Sequence, residues 1–215
     1  MTPSMADFQA PPVTVRTEPV QQRSNDRITS LLDAAASLID DRGIDGLTTS
    51  EVATRSGSSV GVVYRYFPNI QSLLRGLAAR NMEKFTLGIQ TAMSDPDLEF
   101  LGALDTTIDI YVDLVRTEPG FRALRFGDII DERFIQPEMT NNTLLAGSFK
   151  NLYAERWGLQ PTDELGFDFE VIIEIADSLL HRAFVYDRNG DDRFITKLRE
   201  MVREYMAPHA ASITA

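Results

Sequence analysis

Residues 48–67 contain a dense group of side chains that can bind phosphate or contact the edges of bases. Hydroxyl groups and arginine donate hydrogen bonds to phosphates and to bases in the major groove of DNA, and valine can contact a thymine methyl group. Glycine lets DNA approach the backbone closely. The candidates of these types are Thr49, Ser58, Ser59, Val60, Gly61, Tyr64, Arg65 and Tyr66. Their chemistry suits contact with double-stranded DNA.

The same stretch carries the signals that start and end two short helices. Thr48 is a favoured N-cap residue, and Glu51, three residues later, can complete a capping box for the first helix. Gly57 supplies the positive φ that a sharp turn between helices needs. Ser58 or Ser59 can cap the second helix. These signals predict a helix-turn-helix whose second helix enters the major groove.

A wider pattern surrounds this turn, over roughly residues 24–80. Its parts are Gly57, Gly61, the run Tyr64-Arg65-Tyr66-Phe67-Pro68, the pair Leu73-Leu74 and, upstream, Arg42-Gly43. The pattern resembles the TetR family of bacterial one-component regulators. The resemblance implies a three-helix DNA-binding head and a helical body that dimerises and holds a small-molecule effector. Val60 and Ile70 stand where this family often has lysine, which weakens two of the expected phosphate contacts.

Roles for individual side chains follow from their positions and, for Tyr64, from the resemblance. Tyr64 and Tyr66 lie two residues apart and cannot share a helix face, so one packs and one points outward. By the resemblance Tyr64 points outward and gives its hydroxyl to a phosphate. Arg65 is the candidate cation for a base or phosphate, and Thr49 and Arg27 are further phosphate candidates. The alternatives are that the arginines are only solvated and that the serine before the second helix is only a cap.

The net charge of −11 is confined to the C-terminal part of the chain. Residues 1–84 have nine basic and nine acidic side chains, whereas residues 85–215 have 12 basic and 23 acidic ones. Phosphate affinity depends on local charge, so a neutral head is still able to bind DNA. An acidic body would repel DNA and so help to orient the head. The alternative is that the acidic excess only increases solubility.

Composition excludes several other functions. There is no cysteine, which rules out disulfides and cysteine metal sites and suits the cytoplasm. No apolar run is long enough to span a membrane, and the proline-containing segment before residue 20 lacks the apolar core of a signal peptide. With two histidines and no nucleophile or phosphate-loop motif, we expect no catalytic residue, no metal and no cofactor.

Apolar spacing of three and four predicts helices throughout and no strand. We therefore expect an all-α protein of about nine helices, including a short one at about 121–130 and a last one from about 192 to 206. The predicted units are a disordered arm, a helix-turn-helix domain, a ligand-binding and dimerisation domain, and a tail. Their limits are residues 1–23, 24–68, 69–208 and 209–215.

The long helix predicted over 162–186 is apolar on more than one side, which indicates burial on several faces. A second apolar stripe follows in the last helix. Two such helices pairing with their symmetry mates would form an isologous four-helix interface. The residues predicted for this interface are Ile172, Ile175, Leu179, Phe194, Leu198 and Met201. The alternative is a monomeric core.

Fifteen of the 19 aromatic residues follow residue 84, and an aromatic helical bundle can enclose an apolar ligand. The predicted lining is Phe100, Tyr111, Phe126, Phe149, Tyr153, Trp157 and Phe184. Aromatic rings and the acidic excess together favour a cationic ligand. The alternative is that these rings are simply core.

Two groups of acidic residues have ordinary interpretations. Asp105, Asp109 and Asp113 are spaced by four and predict a solvated helix face. Glu174, Asp177 and His181 could in principle bind a metal, but a polar strip in a dimer seam is the preferred interpretation.

Together these features predict a homodimeric, ligand-responsive regulator that acts as a repressor. It would leave a pseudo-palindromic operator when an apolar small molecule binds. The competing hypothesis is a DNA-binding regulator without small-molecule input, which a protein partner controls or which acts constitutively.

Overall fold

The computed structural model describes residues 18–123 and 141–213, and this part of the chain is all-α, without a strand. Its helices are α1 (Glu18–Arg42), α2 (Thr49–Arg55), α3 (Val60–Tyr66), α4 (Ile70–Ala92), α5 (Phe100–Thr117), α6 (Asn141–Trp157), α7 (Asp163–Phe184) and α8 (Asp192–Ile213). The predicted fold class is confirmed, with eight helices against the expected nine. The short helix expected at 121–130 lies mostly outside the described residues.

Local signals place the helix starts where the sequence predicts them. The Thr48 hydroxyl accepts a hydrogen bond from the Glu51 backbone N–H and donates one to the Glu51 carboxylate. Asn69 and Ser72 form a reciprocal capping box at the start of α4. Gly57 has a φ of 63°, so the left-handed turn between α2 and α3 needs glycine. Capping side chains and the Gly57 turn therefore determine where the short helices of the head begin and end.

Two helix ends differ from the expected limits. Helix α1 begins at Glu18, so residues 18–23 are helical rather than part of a disordered arm; an i,i+4 hydrogen bond from Gln22 to Asp26 supports this turn. Helix α8 continues through Pro208 to Ile213 instead of ending near residue 206. Proline removes one helical N–H, but Met206 is fully buried and Ile213 packs against the body, so tertiary contacts hold the last turns.

The described residues form two apolar cores, one in the head and one in the body. The head core joins α1, α2, α3 and the first half of α4, down to Leu73 and Leu77. The second half of α4, with Phe85 and Ile89, belongs to the body core. Helix α4 is therefore shared by both units, and the head core extends beyond the predicted domain limit at residue 68.

The acidic stripe of α5 is largely exposed, at Asp109 and Asp113, but two of its three aspartates pair with arginines of α8. Arg199 of α8 forms an ion pair with Asp109 and also donates a hydrogen bond to the Asp105 carbonyl oxygen, 3.1 Å away. Arg203 forms an ion pair with the Asp105 carboxylate. These partly exposed pairs contribute little stability individually, but they fix how α8 lies along α5.

None of the described helices combines the length and the apolar character needed to cross a membrane.

Candidate functional site

The outward face of the head is determined by the side of α3 that packs inward. Val63 is fully buried and Phe67 is 8% exposed, so both hold α3 on the head core. Val60 and Tyr64, one turn apart on the opposite side, are 37% and 51% exposed. Tyr66 packs against the head core instead. The outward side of α3 therefore presents residues 60, 61, 64 and 65, which we call the recognition face.

Hydrogen bonds join the recognition face to its neighbouring elements. Thr49 Oγ1, at the start of α2, donates to the Tyr64 hydroxyl oxygen over 3.3 Å. Arg27 of α1 donates from Nη1 to the Ser58 hydroxyl oxygen over 3.2 Å. The Ser59 hydroxyl caps α3 by accepting from the Val62 backbone N–H. The structure thus brings eight of the nine predicted DNA-contact residues to the outward side of α3 and its neighbours, whereas Tyr66 packs on the head core.

The arginines of the head fall into two groups. Arg42 forms an ion pair with Glu51 at 2.8 Å, and Arg55 forms one with Asp41 at 3.1 Å. Arg80 forms an ion pair with Asp33 at 2.5 Å. Within the residues that the structure describes, no ion pair is formed by Arg23, Arg27, Arg65 or Arg75. Of these four, Arg65 lies on the recognition face and Arg27 contacts Ser58 beside it, where phosphate contacts would lie.

In the described part of the body, three cavities of about 210, 80 and 60 Å³ lie between α5 and α7. The two larger ones share Tyr111, Asp177 and Leu180 in their linings. The two smaller ones share Thr107 and Phe149, among others. The cavities therefore form one row. We call the largest, at one end of the row, the outer cavity, and the other two the inner cavities.

Comparison with known proteins covers both parts of the chain. Residues 31–77 match the family model of bacterial regulatory proteins of the tetR family, and residues 98–210 match that of the tetracyclin repressor-like C-terminal domain. A TetR-family transcriptional regulator from Streptomyces coelicolor is 34% identical, with a TM-score of 0.71, over 85% of this chain and 98% of that one. The chain belongs to the TetR family. It is a helix-turn-helix transcriptional regulator.

More distant structures share the fold alone. The multidrug binding protein EbrR, solved with malachite green, is 20% identical with a TM-score of 0.59, over 84% of this chain and 98% of that one. RolR, solved with resorcinol, is 17% identical with a TM-score of 0.53, over 91% of this chain and 96% of that one. Among curated proteins, none matches the sequence.

Within this TetR-family body, the predicted aromatic lining divides into two groups. Tyr111, Phe149 and Phe184 line the cavities. The three rings of Phe100, Tyr153 and Trp157 do not, because they pack on one another with centroids 5.0–5.4 Å apart. Rings that stack edge to face use their surfaces for each other, so these three belong to the core. Phe126 lies outside the described residues.

Asp177 and His181, which the sequence analysis preferred as part of a polar strip in a dimer seam, line the outer cavity instead. The polar lining residues Thr107, Arg122 and Asn142 were not selected from the sequence. The outer cavity is lined by Arg122, Asp177 and His181, and the middle one by Thr107 and Asn142. Helical spacing on α7 could have identified the lining residues of that helix. Residues 173, 176, 177, 180, 181 and 184 repeat at three and four and so lie on one face. In the described part of the chain, no group of three acidic or histidine side chains is placed to hold a metal.

The predicted dimer residues also divide. Leu198 is fully buried and Ile172 is 6% exposed, so both lie in the chain's own core and are corrected here. Ile175, Leu179 and Phe194 are half-buried, and Met201 is 39% exposed. The apolar surface continues to exposed residues that the sequence analysis did not select, namely Phe167, Tyr186 and Tyr205. We call this half-buried and exposed surface the α7–α8 stripe. Its members are Phe167, Ile175, Leu179, Tyr186, Phe194, Met201 and Tyr205.

Replacement of Tyr153 by phenylalanine is expected to leave stability unchanged or raise it by about 1 kcal/mol. The hydroxyl is buried beside Thr107 and Asp105, yet no described group completes a hydrogen bond to it, and burial raises its pKa above the usual range. Urea unfolding of both proteins measures the difference. Tyr153→Ala is the control, which should lose about 3–5 kcal/mol with the ring. A clear loss in Tyr153→Phe would show that the hydroxyl has a partner.

Proposed function

We propose that this TetR-family regulator binds a pseudo-palindromic operator as a homodimer and releases it when a small, largely apolar effector enters the body. In this proposal it is a repressor that acts in the cytoplasm. The observation that carries the proposal is a row of cavities in the body whose outer end is lined by the loop that contacts the head.

DNA binding is assigned to the recognition face and its surroundings. Arg65 is the proposed base or phosphate cation, and Arg27 a phosphate contact. Thr49 and Tyr64, already joined by a hydrogen bond, offer a preformed pair of hydroxyls to one phosphate. The remaining proposed contacts are Ser58, Ser59, Val60, Gly61 and Tyr66.

Dimerisation is assigned to the α7–α8 stripe. Phe167, Met201 and Tyr205 are 62%, 39% and 40% exposed, which makes an apolar surface on two adjacent helices. Pairing with the same surface of a second copy forms a closed, isologous contact. A dimer carries two heads, and two heads match an operator made of two half-sites.

The proposed effector has an apolar body and one polar group. The inner cavities are lined mainly by apolar side chains such as Phe149 and Ile173. The outer cavity adds Arg122 and His181, and Asp177 lines both this cavity and its neighbour in the row. Because this lining contains both signs of charge, the proposed effector is defined by its apolar body and polar group, and a cationic effector is one member of that class.

Coupling between effector and head is assigned to residues 118–122. Glu118 forms an ion pair with Lys84 of α4, and Arg122 lines the outer cavity. Phe121 packs edge to face on Tyr111, with centroids 5.5 Å apart. Gly120 lies so close to α1 that a Cβ there would be 3.0 Å from Ala36 Cα. A ligand that displaces Arg122 or Tyr111 would therefore shift a loop that touches the head.

Replacement of Ala176 by phenylalanine is expected to abolish the effector response while operator binding persists. Ala176 lines both inner cavities, and a phenyl group would fill them. Compounds that raise the wild-type unfolding temperature would first be found by thermal shift, since a ligand bound to the folded state stabilises it. They are then titrated against protein–DNA complexes in a mobility-shift assay, with the half-buried surface residue Ala78 of α4 replaced by phenylalanine as control.

Three outcomes distinguish the hypotheses. Release of DNA from wild type and from the Ala78 variant, but not from the Ala176 variant, supports the proposal. Equal release from all three would move the effector away from these cavities. DNA binding without a response to any apolar compound would favour a regulator that has no small-molecule input.

A further inference from the structure

The recognition face includes an apolar side chain that the head does not use for packing. Val60 is 37% exposed, whereas Val63, on the other side of the same helix, is fully buried. The apolar residues that pack against the head core include Tyr66 and Ile70 but not Val60. Within the described residues, Val60 therefore stabilises the head little, and its side chain faces outward beside Tyr64 and Arg65, two of the proposed DNA contacts.

Hydroxyl groups near Val60 already have partners within the head. Ser58 accepts from Arg27, Ser59 accepts from the Val62 backbone N–H, and Thr49 donates to Tyr64. The hydroxyls that accept these bonds keep their own O–H, which can donate to a phosphate or to a polar base edge. Val60 differs from them because it presents an apolar surface, which suits an apolar group on the DNA.

The backbone beside Val60 is open. A Cβ placed on Gly61 would have only one neighbouring heavy atom within 4 Å, the Ser59 hydroxyl oxygen at 3.9 Å. The φ of Gly61 is also not positive. Neither space nor backbone conformation within the chain requires glycine here, and glycine in a helix is less favourable than alanine. The open position leaves room for a group outside the chain to approach Val60.

We propose that Val60, with the open backbone at Gly61, selects a thymine in each operator half-site by contact with the thymine methyl group. Among the base edges exposed in the major groove, the thymine C5-methyl is the apolar group. A valine placed against the polar edge of a G·C pair would leave donors and acceptors without partners. This inference rests on the proposed DNA binding by the head.

The test uses a duplex that the full-length protein enriches from a random-sequence pool. Each thymine of that duplex is replaced in turn by deoxyuridine, which removes only the methyl group. For wild type we expect one position per half-site at which affinity falls about fourfold, the effect of one buried methyl. Val60→Ala should bind thymine and deoxyuridine equally at that position, while Tyr64→Phe should bind more weakly but keep the discrimination.

Gly61→Ala is the second variant, and it separates contact from folding. It should unfold at the same or a higher temperature than wild type, because alanine favours the helix, yet bind the enriched duplex more weakly. If no thymine position responds to deoxyuridine, or if Val60→Ala keeps the discrimination, the inference is wrong and DNA binding by the head stands. Unchanged binding by Gly61→Ala would contradict the close approach. If no duplex is enriched, the proposed function fails, and this inference with it.

Discussion

Replacement of Arg65 by alanine is expected to weaken operator binding by about 1–3 kcal/mol per contact, which is about 5- to 160-fold. Arg65 is exposed on the recognition face and forms no ion pair within the described part of the chain. Its removal therefore leaves no charged partner unpaired. The substitution should lower DNA affinity without lowering the stability of the fold. Mobility-shift titrations at several salt concentrations would measure both the affinity and its salt dependence.

The matched control is Arg193→Ala, which changes the net charge equally in the body. Arg193 lies at the start of α8, is 87% exposed, and pairs with Asp191, the residue that precedes this helix. This variant should bind the operator as wild type does, with the same salt slope. If Arg65→Ala also behaved as wild type, or if Arg193→Ala lost as much affinity, the assignment of DNA binding to the recognition face would be wrong.

The head could be predicted in detail because its signals are local. Thr48, Gly57 and Asn69 act on backbone groups within a few residues, so their effects can be read from the sequence. The hydrogen bond from Arg27 to Ser58, which joins α1 to the turn, could not be predicted in this way, because the two residues lie far apart in the chain. Sequence selected both side chains, but only the structure shows that they meet.

For the body, the sequence predicted the helices correctly, but it predicted less well which residues lie in the core, on the outer surface or in a cavity lining. The apolar periodicity of α7 and α8 indicates burial but does not say which neighbour buries each residue. Leu198 therefore belongs to the chain's own core, while Met201, three residues later, remains exposed. Likewise, the count of aromatic residues could not distinguish Phe149, which lines cavities, from Trp157, which packs on other rings. Such distinctions depend on contacts between distant segments.

Non-local ion pairs and helix ends were missed for the same reason. Asp105 and Asp109 have the spacing of an exposed stripe, and their arginine partners lie about 90 residues later in the chain. Pro208 is a local signal for a helix end, but contacts of the following turn outweigh it. In particular, His209 Nε2 lies 2.7 Å from an Asp168 carboxylate oxygen, and this contact ties the turn to α7.

Replacement of Met201 by glutamate is expected to convert the proposed dimer into monomers at micromolar concentration. Met201 is 39% exposed in the single chain, so a carboxylate there stays in water and the fold of the monomer should persist. In an isologous dimer the substitution occurs twice and places two unpaired charges in an apolar seam, each with a penalty of several kcal/mol. Size-exclusion chromatography with light scattering would give the masses, and circular dichroism would check the helix content.

Leu87→Glu is the matched control, because Leu87 is also an exposed apolar residue, 63% exposed, but lies on α4 rather than on the α7–α8 stripe. It should keep the dimer mass. The monomeric Met201 variant should also bind the full operator much more weakly than wild type, because its two heads are no longer linked and lose the gain in effective concentration. A monomeric wild type, or a Met201 variant that retains the dimer mass, would show that α7 and α8 do not form the interface.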